Sequence, residues 1–382
     1  MKRILGICAC AVLMAGCAGR AKVSEWQVPF LDCLTGDLAS YGELFNWSAQ
    51  LAATEINKAG GISGKPIRVV PVDTGSDPQK GAVEMAKAAQ SALVVLGPVP
   101  EPVILASLPI AVESGMLCFT ATTSLEYAQK FFPYAISWFA PTEILSLVTE
   151  AWAKQLTDVK TVVQLVEPYG PWPAMAKAHD VGLAKAGLTV LPNIEVPSTA
   201  VSLDPLVVAA LAEKPDAIVF TCSPDKIAKM IKALKARGWT KMDHILIFSS
   251  GDTPDLYAIG GSDLNGVEIY NYINPNIDTP RWNVFKDAYM KSHNGEIPPS
   301  LSTNYYDAVY MIKEAIEKTG ATGDPATLKE ERKKIADFCA NVKGFQGVMF
   351  TWSMTNDVPT DKPVYIFKIE NNQKILVKEV RP

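Results

Sequence analysis

Residues Val28–Asp77 read VPFLDCLTGDLASYGELFNWSAQLAATEINKAGGISGKPIRVVPVDTGSD, and this stretch decides the fold. The apolar run Val28–Leu31 is a buried strand, and Thr35-Gly36 turn the chain after it. Ser40 and Glu43 have capping-box spacing, which predicts a helix that Ser40 caps while Glu43 reaches back. Leu44, Trp47, Leu51 and Ile56 recur at helical spacing and predict its apolar face. Gly60-Gly61 end the helix, where a left-handed residue is needed, and Ile67–Val72 follows as a second buried strand. The unit is βαβ, which implies a parallel sheet with right-handed crossovers. Ligands of such open sheets bind beyond the carboxyl ends of the strands, so Asp32–Tyr41 becomes a candidate site.

The segments LTGDLASYGE, EINKAGGISGKPI and DTGSDPQKG resemble the opening of the leucine/isoleucine/valine-binding proteins, the periplasmic solute-binding proteins of branched-chain amino acid ABC importers. Weaker similarity continues to about Trp352. The resemblance implies the type I fold: two doubly wound α/β lobes joined by a three-segment hinge. It also implies binding, not catalysis, with a small-molecule ligand and membrane permease subunits as partners.

A chain of 382 residues suits two lobes better than one core. The formal net charge of −4 shows no basic excess for nucleic acid. Lys2 and Arg3 precede the apolar run Ile4–Met14, the pattern of a signal peptide and not of a membrane span. Leu13-Met14-Ala15-Gly16-Cys17 resembles a bacterial lipobox, which implies removal of residues 1–16 and lipidation of Cys17. The expected location is extracytoplasmic, tied to a bacterial membrane by the lipid and not embedded in it. An ordinary signal peptide cut nearby is the alternative.

Four cysteines remain in the mature chain: Cys33, Cys118, Cys222 and Cys339. Their apolar, strand-like contexts predict buried thiols and no disulfide. The resemblance agrees, because the family's usual bridge would fall on Ser76 and Pro100. No cysteine or histidine cluster has metal spacing, no cofactor motif is present, and His179, His244 and His293 read as surface residues.

Further along, Gln79–Ser91 and Val103–Ser114 predict helices, and Leu93–Val99 and Met116–Thr120 predict strands. Ala135–Ala140 is extended, and a new helix starts at Pro141-Thr142-Glu143. The pattern then repeats, with strands at Thr161–Val166, Leu188–Ile194, Ala217–Cys222, Ile245–Ser249 and Val267–Tyr272. Helices at Pro173–Ala186, Leu203–Glu213 and Asp225–Arg237 intervene. Arg281–Ser292, Ser302–Lys318 and Pro325–Ala340 are further helices, followed by strands at Gly344–Phe350 and Val364–Ile369. Asn371-Asn372 turn a hairpin into Lys374–Val380. With the resemblance, this places residues 24–140 and 275–343 in the N-terminal lobe and residues 141–274 and 344–382 in the C-terminal lobe.

Gly60–Lys65 fails as a phosphate loop: it follows a helix, and Pro66 stands where Ser or Thr would hold magnesium. No nucleophile and base are paired at short spacing, so an enzyme is not expected. The better candidate is Thr120–Ser124, a run of hydroxyls between a strand and a helix expected from Leu125. Backbone amides and hydroxyls at a helix start can receive polar oxygen, or simply cap the helix. By the resemblance, Thr122 and Thr123 offer backbone groups and Ser124 stands at the family's ligand-binding threonine.

Glu101 falls at or beside the family's carboxylate-binding serine, where an acid would repel a carboxylate. It could instead favour the start of the helix that Pro102 opens. In the second lobe, Ser249 or Ser250 aligns with the family's ammonium-binding acid, with Asp252 just beyond. Tyr41 and Tyr169 match ligand-facing tyrosines, Trp172 and Trp138 are extra aromatics, and Cys222 ends its strand at the same site. Aromatic faces beside Glu101 could hold a cationic head, or simply pack. Asp307, in a YDA run like the family's, reads as a structural partner.

The resulting expectation is a lipid-anchored solute-binding protein of an ABC importer that captures an amino acid or a related amide or amine. The alternative is a sensor of the same fold that signals to a membrane partner.

Overall fold

The computed structural model describes residues 23–36, 38–122, 130–137, 142–169, 172–355, 358–360 and 362–381; for 142, 143, 355 and 358–360 it describes the backbone only. Cys17, Thr123, Ser124, the helix expected from Leu125 and Trp138 therefore lie outside the described residues.

The first lobe is built on five parallel strands: β1 (Trp26–Asp32), β2 (Ile67–Asp73), β3 (Val94–Leu96), β4 (Leu117–Thr120) and β5 (Ala135–Ser137). Their order is β2-β1-β3-β4-β5, so the chain reverses its direction of winding between β1 and β3. The helices α1 (Ala39–Lys58), α2 (Pro78–Ala88) and α3 (Glu101–Glu113) make the crossovers. The β1 residues Val28, Phe30 and Leu31 are buried, as a strand covered on both faces requires.

The second lobe begins with α4 (Thr142–Ala153). Its strands are β6 (Thr161–Val166), β7 (Thr189–Val190), β8 (Ile194–Glu195), β9 (Ala217–Thr221), β10 (Ile245–Ile247) and β11 (Glu268–Asn271). The helices α5 (Trp172–Lys185), α6 (Asp204–Ala212), α7 (Pro224–Ala236) and α8 (Pro254–Gly260) lie between them. The single strand expected at Leu188–Ile194 is thus the two short strands β7 and β8, both paired to β6. Gly182 lets α5 press on α4, because a Cβ there would stand 2.1 Å from the Ser146 carbonyl oxygen.

The chain then forms α9 (Pro280–Ser292), α10 (Asn304–Thr319) and α11 (Leu328–Ala340), and α10 packs on α1 and α11. Tyr306 and Tyr310 hydroxyls both donate to Glu55, which fixes α10 to α1. The strand expected at Gly344–Phe350 does not join the second sheet. Three short strands, β12 (Phe345–Gln346), β13 (Thr351–Thr355) and β14 (Val358–Thr360), make their own antiparallel sheet against α11 and β5. Buried Trp352 and Phe345 seat this sheet, and Asp307 accepts from Val348 N at 2.9 Å. The chain enters the second sheet again only at β15 (Val364–Glu370), which pairs antiparallel with β11 and with β16 (Gln373–Val380). Asn371 and Asn372 both have positive φ, +52° and +60°, which suits the two-residue turn between these strands.

Candidate functional site

The start of α1 faces the second lobe. It begins one residue before Ser40: the Leu38 carbonyl accepts from Tyr41 N and Gly42 N, and no side chain caps it. The expected capping box is therefore not formed, and Ser40 and Glu43 stand exposed at the cleft instead. The buried stripe of α1 is Phe45, Ala49, Ala52 and Ile56, offset from the expected face. Sheet and α10 both pack on the helix, and Leu44, Trp47 and Leu51 are half-buried at the edge of the core. Gly42 sits where a Cβ would meet the Cys33 carbonyl oxygen at 2.4 Å, so the helix start is drawn against the end of β1.

A cavity of about 590 Å³ lies between this helix start and the loops after β6, β9 and β10. Tyr41, Tyr169, Trp172, Ser249 and Ser250 all line it, so five of the expected site residues meet there. The Tyr41 hydroxyl crosses between the lobes and donates to the Ser250 carbonyl oxygen at 2.9 Å. Trp172 is buried against Phe248, ring centroids 5.1 Å apart. Trp47, Tyr289 and His293 form the outer wall, with Trp47 edge-on to both other rings.

Other expected site residues lie elsewhere. Cys222 is wholly buried behind the wall that its neighbour Ser223 lines. Burial pushes its thiol well up, so the group is a neutral thiol. Glu101 and Thr122 are not among the described lining residues of this cavity. They pair with each other, Thr122 Oγ1 donating to Glu101 Oε1 at 3.1 Å. Glu101 occupies the first turn of α3, and burial raises its carboxyl above the usual range while the Thr122 bond opposes this. The four cysteines among the described residues are all buried and unpaired. His179 and His244, expected on the surface, are buried. His179 contacts Tyr270 Oη at 2.8 Å, Thr221 Oγ1 and Gln164 Oε1, and burial holds it neutral with a pKa pushed down to about 3.

Two acidic residues organise the second-lobe wall. Glu167 directly follows β6 and is fully buried. It accepts from Ser223 N at 2.7 Å, Ser223 Oγ at 3.1 Å, Tyr169 Oη at 3.0 Å and the Lys226 ammonium. One carboxylate thus holds the loops after β6 and β9, the point where winding reverses in the second sheet. The sequence reading missed it; a lone Glu at the end of the apolar run Thr161–Val166 was the available signal. Asp252 also borders the cavity, but its carboxylate accepts from Tyr257 Oη at 2.6 Å, Asn271 Nδ2 and Lys374 Nζ at 2.6 Å. It is therefore engaged and does not stand free as an ammonium anchor.

A family model described as periplasmic binding protein matches residues 25–374. The chain belongs to the periplasmic binding protein family. This binding protein is 26% identical over 314 residues to the Leu/Ile/Val-binding protein BraC3 of Rhizobium johnstonii, covering 79% of this chain and 82% of that one. It is 24% identical over 304 residues to Leu/Ile/Val-binding protein homolog 3 of Brucella melitensis, covering 77% and 79%. Among solved structures, the leucine binding protein LivK of Thermotoga maritima superposes with a TM-score of 0.79 at 20% identity, over 93% of this chain and 99% of that one. A solute binding protein of an ABC transporter from R. palustris, solved with benzoate, gives 0.79 at 18% identity, over 94% and 97%. The family is one of extracytoplasmic binding proteins. The two structural likenesses establish the fold of this binding protein and leave its solute to the chemistry of the cleft.

Proposed function

We propose that this chain is the lipid-anchored solute-binding component of an ABC importer and captures a small polar solute, an amino acid or a related amide or amine, between its lobes. The observation that carries the reading is the cavity spanned by the Tyr41–Ser250 hydrogen bond. It lies where ligands of doubly wound sheets bind, beyond the carboxyl ends of the strands. Opening at the hinge would break that contact and admit the solute; closing would bury it. A buried small solute needs its polar groups paired. Tyr41, Tyr169, Trp172, Ser249 and Ser250 are the residues assigned to that task here, with Thr122, Thr123, Ser124, Glu101 and Cys222 as the less supported part of the set. Cys17 carries the anchor. The lobes divide near residue 140, near residue 275 and, from the packing of β12–β14, between Thr360 and Val364.

The test is uptake. Deletion of the gene should abolish import of the solute that the purified protein binds, and the wild-type chain should restore it. The double variant Tyr41→Ala/Ser124→Ala should stay folded and fail to restore it. Unchanged uptake with loss of a transcriptional or motile response would mean a sensor.

A further inference from the structure

The gap between the lobes continues beyond the cavity described above. A second space of about 510 Å³ adjoins it. Asp252, Thr253 and Pro254, after β10, line both, and so do Glu296 and Pro299, after α9. The shared border thus has a side on each lobe, and the two spaces follow one another along one trough. The outer space reaches the turn from β15 to β16, where Asn371, Asn372 and Gln373 stand exposed, with Ala258 and Ile297 on its other walls. The turn is held in place, the Asn371 N–H donating to Asn265 Oδ1 at 2.8 Å. Neighbouring carboxamides offer donors and acceptors together, the complement of a peptide group. Size is the second observation. The Tyr41–Ser250 hydrogen bond already joins the lobes, yet the first cavity alone measures about 590 Å³. At the roughly 30 Å³ that a water molecule takes in the liquid, the nine heavy atoms of leucine fill at most about 270 Å³. A single amino acid would leave about half of that cavity, and all of the trough beyond Asp252, without contacts.

Resting on the reading of this cleft as the solute site, we propose that the solute is a short peptide of about two or three residues, whose roughly twenty heavy atoms occupy about 600 Å³. One side chain lies against Tyr41 and Trp47, and the peptide groups run past Asp252 to the carboxamides of Asn371, Asn372 and Gln373. Each peptide N–H and C=O that leaves water needs a partner, and the carboxamides supply partners at the outer end of the trough. Selection is by length. One or two added hydrogen bonds make a peptide bind roughly tenfold more tightly than its component amino acids.

Native mass spectrometry on the full mature chain tests this, after incubation with a mixture of free amino acids, dipeptides and tripeptides. The retained mass should be that of a dipeptide or tripeptide. Calorimetry should then find that peptide roughly tenfold tighter than its component amino acids. Ile297→Trp and Ala258→Trp, each at an exposed position, fill the outer space. Either should remove most of the tenfold advantage and leave the weaker binding of the amino acids unchanged. Retention of a free amino acid in preference to every peptide, or of a peptide that neither tryptophan variant weakens, overturns the peptide reading. The cleft reading stands in that case if Tyr41→Ala still abolishes the binding. Retention of nothing from the mixture also overturns the peptide reading. Binding of any probe that Tyr41→Ala leaves unaltered overturns the cleft reading itself.

Discussion

Glu167→Gln tests how the second-lobe wall is held. The carboxylate is wholly buried, and the Lys226 side chain that it pairs is only 12% exposed. The amide oxygen can still accept from Ser223 Oγ and Tyr169, but the amide NH2 then faces the Ser223 N–H and the ammonium loses its counter-charge; its other contact is the Pro197 carbonyl oxygen at 3.3 Å. Breaking one side of a buried pair costs about 3–5 kcal/mol, chiefly because the remaining charge stays buried without a partner. At the lower end this is roughly 6–12 °C in the melting of a lobe of about 150–250 residues. Calorimetric unfolding of the variant measures it. The cause can be separated from lost packing by Glu167→Gln/Lys226→Met, which removes the stranded charge and should recover at least half of the loss. A single variant within about 1 kcal/mol of wild type, or a double variant no better than the single, would refute the reasoning.

Other consequences are open to direct measurement. Burial raises the Glu268 carboxyl to about 7, with nearby Lys368 opposing and Asp243 adding to the shift. The folded state therefore holds a proton that the unfolded chain releases above its ordinary pKa near 4.5, so this residue's contribution to stability is lost as pH rises from about 4.5 to 7. Glu268→Gln should then stabilise by about 2 kcal/mol at pH 8 and by almost nothing at pH 4, read from melting curves at the two pH values. Gly42→Ala should destabilise by about 2 kcal/mol and weaken solute binding, because the new methyl pushes the α1 start, and Tyr41 with it, off the Cys33 carbonyl; calorimetric titration that finds wild-type affinity would contradict this. Cys17→Ser should abolish incorporation of labelled fatty acid and release the protein from membranes, and retained label would remove the lipid anchor from the account.

The fold was legible because its signals are local. The run of strand, turn, helix and Gly60-Gly61 marked the first βαβ unit, and the same rhythm marked the second lobe. Tyr41, Tyr169, Ser249 and Ser250 could be placed at one site through the family resemblance, with Trp172 as an extra aromatic beside them, and all five line the cleft. What stayed hidden depends on contacts far apart in sequence. Glu167 meets Lys226 across 59 residues, and Asp252 meets Lys374 across 122. Nothing local to either acid shows that it is already engaged. His179 was misplaced for a related reason: its polar partners Gln164, Thr221 and Tyr270 come from β6, β9 and β11. The offset face of α1 reflects α10, whose position against α1 is set by the return of the chain to the first lobe.

The central claim is that the cleft between Tyr41 and Ser250 holds a solute. Native mass spectrometry of the purified mature protein, followed by denaturation, tests it most directly. The account predicts a small solute in one-to-one complex with the wild-type chain, released on denaturation and lost from Tyr41→Ala/Trp172→Ala. The same solute retained in equal amount by that variant would contradict it.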